Sequence, residues 1–103
     1  MSANPLLSSV GLGDVELVIR TATVDQGASL NDGVGVTVAV PVSDAAIGDG
    51  VIICPGADLL DVTVTAYVAS AGSVEVRFQN ESTGARDIPS ATWTFILVKP
   101  GQI

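Results

Sequence analysis

The sequence predicts an all-β protein, folded as a single antiparallel β-sandwich domain of jelly-roll type. Apolar and polar side chains alternate with a period of two in several short runs rich in β-branched residues. Turn-forming residues separate these runs, and no window shows the 3.6-residue apolar period of a helix. Six or more short strands separated by turns are typical of a sandwich or a small barrel, and 103 residues suit one domain.

Six runs are predicted as strands, at residues 15–19, 34–40, 51–54, 62–68, 74–78 and 92–98. In the first run, Val15, Leu17 and Ile19 form the apolar face, and Glu16 and Arg20 lie on the opposite face. The side chains expected to dominate the core come from the last three runs: Trp93, Phe95, Phe78, Val76 and Val64.

Turn residues mark the boundaries of these strands. The segment Ser70–Ser73 joins two alternating runs so tightly that it predicts a β-hairpin. Residues 44–47 could form at most one helical turn.

The last run is apolar on both faces, with Trp93, Phe95 and Leu97 on one side and Ile96 and Val98 on the other. A strand covered on both sides has this pattern. We therefore expect that this strand is central and covered by a loop, or that its outer face contacts another chain.

The outward positions of the other runs also carry little charge, since only 15% of all residues are charged. Exposed strands normally carry charged side chains that prevent edge-to-edge association. This deficit predicts either a closed homo-oligomer in the form of a threefold ring or docking on a larger lattice.

Residues 1–13 are predicted to form an extended N-terminal arm, followed by the sandwich domain at residues 14–103. The arm carries no charged side chain. It would lie in a groove of a neighbouring chain, or it would pack on its own domain or fray. The predicted capsid or oligomer interface combines aliphatic arm residues with outward-facing strand residues: Leu6, Leu7, Val10, Leu12, Tyr67, Ile96 and Val98.

The net charge of −7, with only four scattered basic residues, argues against nucleic acid and anionic membranes as partners. The N-terminus has no basic region followed by an apolar core, and no apolar stretch approaches the length of a membrane span. We therefore expect no signal peptide, and assembly in a cytoplasm.

Catalytic and metal-binding patterns are missing from the sequence. The chain has no histidine and one cysteine, Cys54, which argues against a serine triad, a histidine-activated thiol and a zinc site. The eleven acidic residues show no calcium-loop spacing, and the few aromatic residues do not suit a glycosidase cleft. We expect no enzymatic activity, no cofactor and no metal.

Residues 34–98 carry the pattern V-x-V-R-F-x-N at positions 74–80 and T-W-x-F at positions 92–95. This part of the chain resembles short β-proteins and β-modules encoded among the virion genes of tailed bacteriophages. The resemblance implies a capsid decoration (cement) protein that binds the outer capsid surface between capsomers and stabilises the shell. Its partners would be the major capsid protein and copies of itself, as a trimer. The alternative is a tail-fibre or spike module that binds a host receptor or glycan.

Overall fold

The computed structural model describes residues 15–100, and this part of the chain contains six β-strands and no helix. Each predicted run coincides with or overlaps one strand, so the all-β prediction is confirmed. The strands are β1 (Glu16–Val24), β2 (Gly35–Pro41), β3 (Gly50–Cys54), β4 (Thr63–Ser70), β5 (Ser73–Gln79) and β6 (Ala91–Lys99).

The six strands form two antiparallel sheets of three strands each. The first sheet has the order β1-β6-β3, and the second has the order β2-β5-β4. Buried side chains from both sheets belong to one core, which makes the arrangement sandwich-like.

The centre of the core lies between the two middle strands, β6 and β5. The Trp93 and Phe78 rings meet edge to face, with centroids 5.9 Å apart and planes inclined by 65°. Of the predicted core residues, only Val64 is half-buried, and the others are buried. The buried side chains of the two middle strands are Val74, Val76 and Phe78 on β5, and Trp93, Phe95 and Leu97 on β6.

Strand β1 alternates as predicted, but its largest apolar side chains face away from the core. Leu17 and Ile19 are exposed, whereas Val18 and Ala22 are half-buried against the core. The strand also continues to Val24, beyond the predicted end, because alternation persists through small Thr and Ala residues. This placement leaves part of the apolar surface of the first sheet uncovered by residues 15–100.

The predicted hairpin at Ser70–Ser73 is confirmed, with Ser70 opposite Ser73 and Gly72 at a φ of 79°. Its tip is tied to the loop between β2 and β3. The Val42 N–H donates to the Gly72 carbonyl (3.0 Å), and the Gly72 N–H donates to the Ala45 carbonyl (2.8 Å). This loop, residues 42–49, contains turns and no helix.

At the other end of the sandwich, the buried Asn80 side chain holds the long loops together. Its Nδ2 donates to the carbonyls of Leu30 and Gly84, both at 2.9 Å. Its Oδ1 accepts from the N–H and the hydroxyl of Ser82. All polar atoms of this buried amide thereby gain partners.

Two parts of the predicted architecture remain predictions. A jelly roll has eight strands, and the described part of the chain has six. The predicted N-terminal arm, with Leu6, Leu7, Val10 and Leu12, lies outside the described residues.

Candidate functional site

Five aliphatic side chains lie together on the outer side of the first sheet, and we call this group the aliphatic face. The strand register places them in two adjacent rows. Leu17 is opposite Val98, and Ile19 is opposite Ile96, which is opposite Ile52 on the other neighbouring strand. Gly50 completes the first row beside Val98 without adding a side chain. The face therefore crosses all three strands.

The side chains on the two edge strands are the more exposed. Leu17 and Ile19 are each 60% exposed and Ile52 is 51% exposed, while the central Ile96 and Val98 are half-buried. Scattered exposed apolar residues are normal on protein surfaces, but contiguous ones mark interaction sites. The contiguity of these five side chains makes this surface the candidate functional site.

The rest of the same outer surface is neutral as well. Thr21, Thr94 and Cys54 form the next row, and Thr23 pairs with Thr92 beyond it. Cys54 is a free, exposed thiol. Across the three described strands, this outer surface presents no charged side chain.

The outer surface of the second sheet is polar by comparison. Arg77 lies opposite Thr37 and Thr65 and donates to the Thr37 hydroxyl (3.3 Å) and to Gln79 Oε1 (2.9 Å). Glu75 lies opposite the exposed Tyr67. This surface carries the alternating charge that protects a solvent-facing sheet.

Two ion pairs fix the loop at residues 42–49, and their basic side chains alternate with those of the aliphatic face, on the core-facing side of the first sheet. Arg20 of β1 pairs with Asp44, and Lys99, adjacent to Val98, pairs with Asp49 at 2.5 Å. The Lys99 ammonium also donates to the Asp44 carbonyl at 2.6 Å. The Asp49 carboxylate accepts from the backbone N–H of Ala46 at 3.0 Å. These contacts engage two of the four basic side chains in holding the loop that leads into β3.

The acidic loops lie at the opposite end of the sandwich from these ion pairs. Strands β1 and β3 end there, and β2 and β4 begin there. Arg86, the basic residue among these loops, donates to the backbone carbonyls of Leu60 and Ala85. Within residues 15–100, no three acidic or cysteine side chains are grouped to hold a metal ion. The acidic residues of these loops are Asp25, Asp32, Asp58, Asp61, Glu81 and Asp87.

The described part of the chain offers no enclosed space for a small ligand, since it contains no detectable pocket. It also contains no apolar helix of a length that could cross a membrane.

The predicted interface residues do not all lie together. Ile96 and Val98 are part of the aliphatic face, but Tyr67 is on the outer surface of the second sheet. The four predicted arm residues are outside the described residues.

Sequence reasoning missed the three most exposed members of the aliphatic face, Leu17, Ile19 and Ile52. A signal was present, because apolar side chains fill consecutive positions at residues 17–19 and 51–53. Consecutive apolar residues in a strand indicate that both of its faces are covered.

Comparison with known proteins identified no relative: no family model, curated protein or solved structure matches the chain.

Proposed function

We propose that this chain is a non-enzymatic structural protein of a tailed-bacteriophage virion. In this proposal it is a capsid decoration protein that binds the outer capsid surface between capsomers and stabilises the shell. The observation that carries the proposal is the neutral, contiguous aliphatic face on a domain whose other sheet is polar on its outside. The resemblance of residues 34–98 to phage virion modules supports the choice of partner.

The stabilising mechanism would be the removal of the aliphatic face from water at a boundary between capsomers. The outer surface of the first sheet, whose strands have nine, nine and five residues and lie about 4.8 Å apart, measures on the order of 400 Å², and the two aliphatic rows make up about half of it. At ~25 cal/mol per Å², covering the roughly 200 Å² of the aliphatic face contributes about 5 kcal/mol before the costs of association. This area is about a quarter of what each partner contributes to a standard stable interface. Further contacts, between decoration subunits in a trimer or through residues 1–13, would complete the attachment.

The strand pairing supports a jelly-roll-like fold for this protein. The first strand pairs with the last, the second pairs with the fifth, and the third and fourth lie in different sheets. A jelly roll has the same nested pairing with one more pair of strands.

The second candidate function is a tail-fibre or spike module that binds a receptor or glycan. It rests on Tyr67, which is 60% exposed between polar neighbours on the second sheet and lies opposite Glu75. An exposed aromatic ring flanked by hydrogen-bonding groups suits the stacking of a sugar ring. One aromatic residue on a flat surface gives less binding area than the aliphatic face does.

The number of copies per particle distinguishes the two functions. Quantitative mass spectrometry of purified virions, normalised to the major capsid protein, is expected to give hundreds of copies of this chain. A few copies per virion would favour the fibre module, and absence from virions would contradict both assignments.

A further inference from the structure

We propose that, in the free protein, residues 1–13 fold back onto the aliphatic face of their own chain and cover it. This occupant is internal to the chain, so the proposal concerns the isolated protein and does not depend on the capsid as a partner. In this proposal, the N-terminal segment covers the aliphatic surface that residues 15–100 leave exposed to solvent.

The point at which this segment joins the described chain favours the assignment. Val15 is the first described residue, and Leu17, two positions later, is already part of the aliphatic face. The Leu17–Val98 row and the Ile19–Ile96–Ile52 row are the first two rows that the chain reaches. The threonine rows lie farther from the attachment point, so the nearest uncovered surface is the apolar one.

The segment is long enough for this return path. Thirteen extended residues span up to about 45 Å, whereas the two aliphatic rows are about 7 Å apart and three strands cover about 10 Å between their outer axes. Gly11 and Gly13 precede β1, and glycine readily adopts the backbone conformations needed to reverse direction.

The composition of the segment matches the surface. It carries four aliphatic side chains, Leu6, Leu7, Val10 and Leu12, and no charged side chain, although the whole chain has a net charge of −7. The aliphatic face has five aliphatic side chains and is also uncharged. The N-terminal segment and the aliphatic face thus match in composition, since both are apolar and uncharged.

A segment of the same chain has an advantage over a second copy. A short connection within one chain gives an effective concentration in the millimolar range, far above the micromolar concentration of a separate protein. Two aliphatic faces packed together would bury only about 400 Å² in total, below the range of stable protein interfaces. Two chains of charge −7 would also repel each other.

The sole cysteine provides a direct test. Cys54 is exposed on the same outer surface, two residues from Ile52, but outside the two aliphatic rows. A nitroxide spin label on Cys54 of the full ¹⁵N-labelled chain is expected to abolish the amide signals of residues 6–10 in a proton–nitrogen correlation spectrum. Reduction of the nitroxide should restore these signals.

A label on the opposite outer surface supplies the matched control. In the Cys54→Ser, Thr65→Cys variant, the label lies on the outside of the second sheet and should leave residues 6–10 sharp. In Leu6→Ser, Leu7→Ser, which changes only the segment, the Cys54 label should no longer abolish the signals of residues 8–10. Equal broadening from both label positions, or broadening that persists in the double serine variant, would overturn the proposal.

An isotope-mixing experiment identifies which chain supplies the segment. Spin-labelled protein at natural isotope abundance is mixed with ¹⁵N-labelled Cys54→Ser protein. Unchanged signals of residues 6–10 are expected, because the contact lies within one chain. Loss of these signals would overturn the proposal in favour of a second copy as the occupant.

Discussion

Trp93 is the largest fully buried side chain, and it contacts Phe78 of the opposite sheet. Its indole Nε1 is buried and has no hydrogen-bond partner within the described residues. Trp93→Ala is expected to lower the free energy of unfolding by about 3–5 kcal/mol, because it leaves a large cavity between the sheets. Trp93→Phe is expected to cost less than about 2 kcal/mol, because it also removes an unpaired buried donor. Urea unfolding followed by circular dichroism measures the free energy of unfolding of both variants. If Trp93→Ala were as stable as the wild-type protein, the assignment of Trp93 to the core would be wrong.

Gly56 is required for the loop after β3 to lie against β6. A Cβ at this position would overlap the backbone carbonyl oxygen of Thr92, which cannot move without disturbing the sheet. Gly56→Ala is expected to destabilise the fold by about 1–3 kcal/mol. Gly50→Ala is the control, because its Cβ would be 3.4 Å from Val98 Cβ, an ordinary contact. A thermal-melting series in which both variants behave alike would show that the loop does not pack as described.

At the scale of the elements, the two ion pairs on the loop at residues 42–49 differ in exposure. The side chain of Asp49 is 7% exposed, and that of Asp44 is 56% exposed. Asp49→Asn keeps an acceptor for the Ala46 N–H but removes the charge that faces Lys99. We therefore expect it to lower the free energy of unfolding by about 1–2 kcal/mol. Asp44→Asn removes only an exposed pair and should cost less than about 1 kcal/mol. Equal losses in chemical denaturation would contradict the described burial of Asp49.

The elements also show what could be predicted from the sequence. Five strands were predictable because their side chains alternate with a period of two, and β3 was predictable because residues 51–54 form a short apolar run. The hairpin was predictable because Gly72 suits its tight turn. The orientation of β1 was not predictable, since Leu17, Val18 and Ile19 put apolar side chains on both of its faces. Which face meets the core depends on pairing with β6, a contact between distant parts of the chain.

The candidate site was predictable only in part for the same reason. Ile96 and Val98 were singled out because β6 is apolar on both faces. Their joining with Leu17, Ile19 and Ile52 depends on β6 lying between β1 and β3, an order that periodicity does not encode. Tyr67 was grouped with them because its side chain was expected to face outward. A protein of two sheets has two opposite outer surfaces, and Tyr67 lies on that of the second sheet.

At the scale of the whole molecule, charged and apolar surfaces are separated. The acidic loops are gathered at one end, ionic contacts border the other, and the outer surface of the first sheet is neutral. The acidic end favours solubility and repels anionic surfaces. Because the outer surface of the first sheet carries no charged side chain, the aliphatic face can be buried against a partner without the desolvation of any charge.

The central claim, that the aliphatic face attaches this protein to a capsid, is tested most directly by shell binding of matched variants. Ile19→Asp, Ile52→Asp places two charges on the aliphatic face, and Thr37→Asp, Thr65→Asp places two on the outside of the second sheet. Capsid shells lacking this chain are incubated with each folded variant, and the bound fraction is measured by co-sedimentation. We predict a loss of binding of at least about tenfold for the isoleucine variant, because each buried charge must be desolvated, and near-native binding for the threonine variant. Full binding of the isoleucine variant, or loss confined to the threonine variant, would contradict the claim.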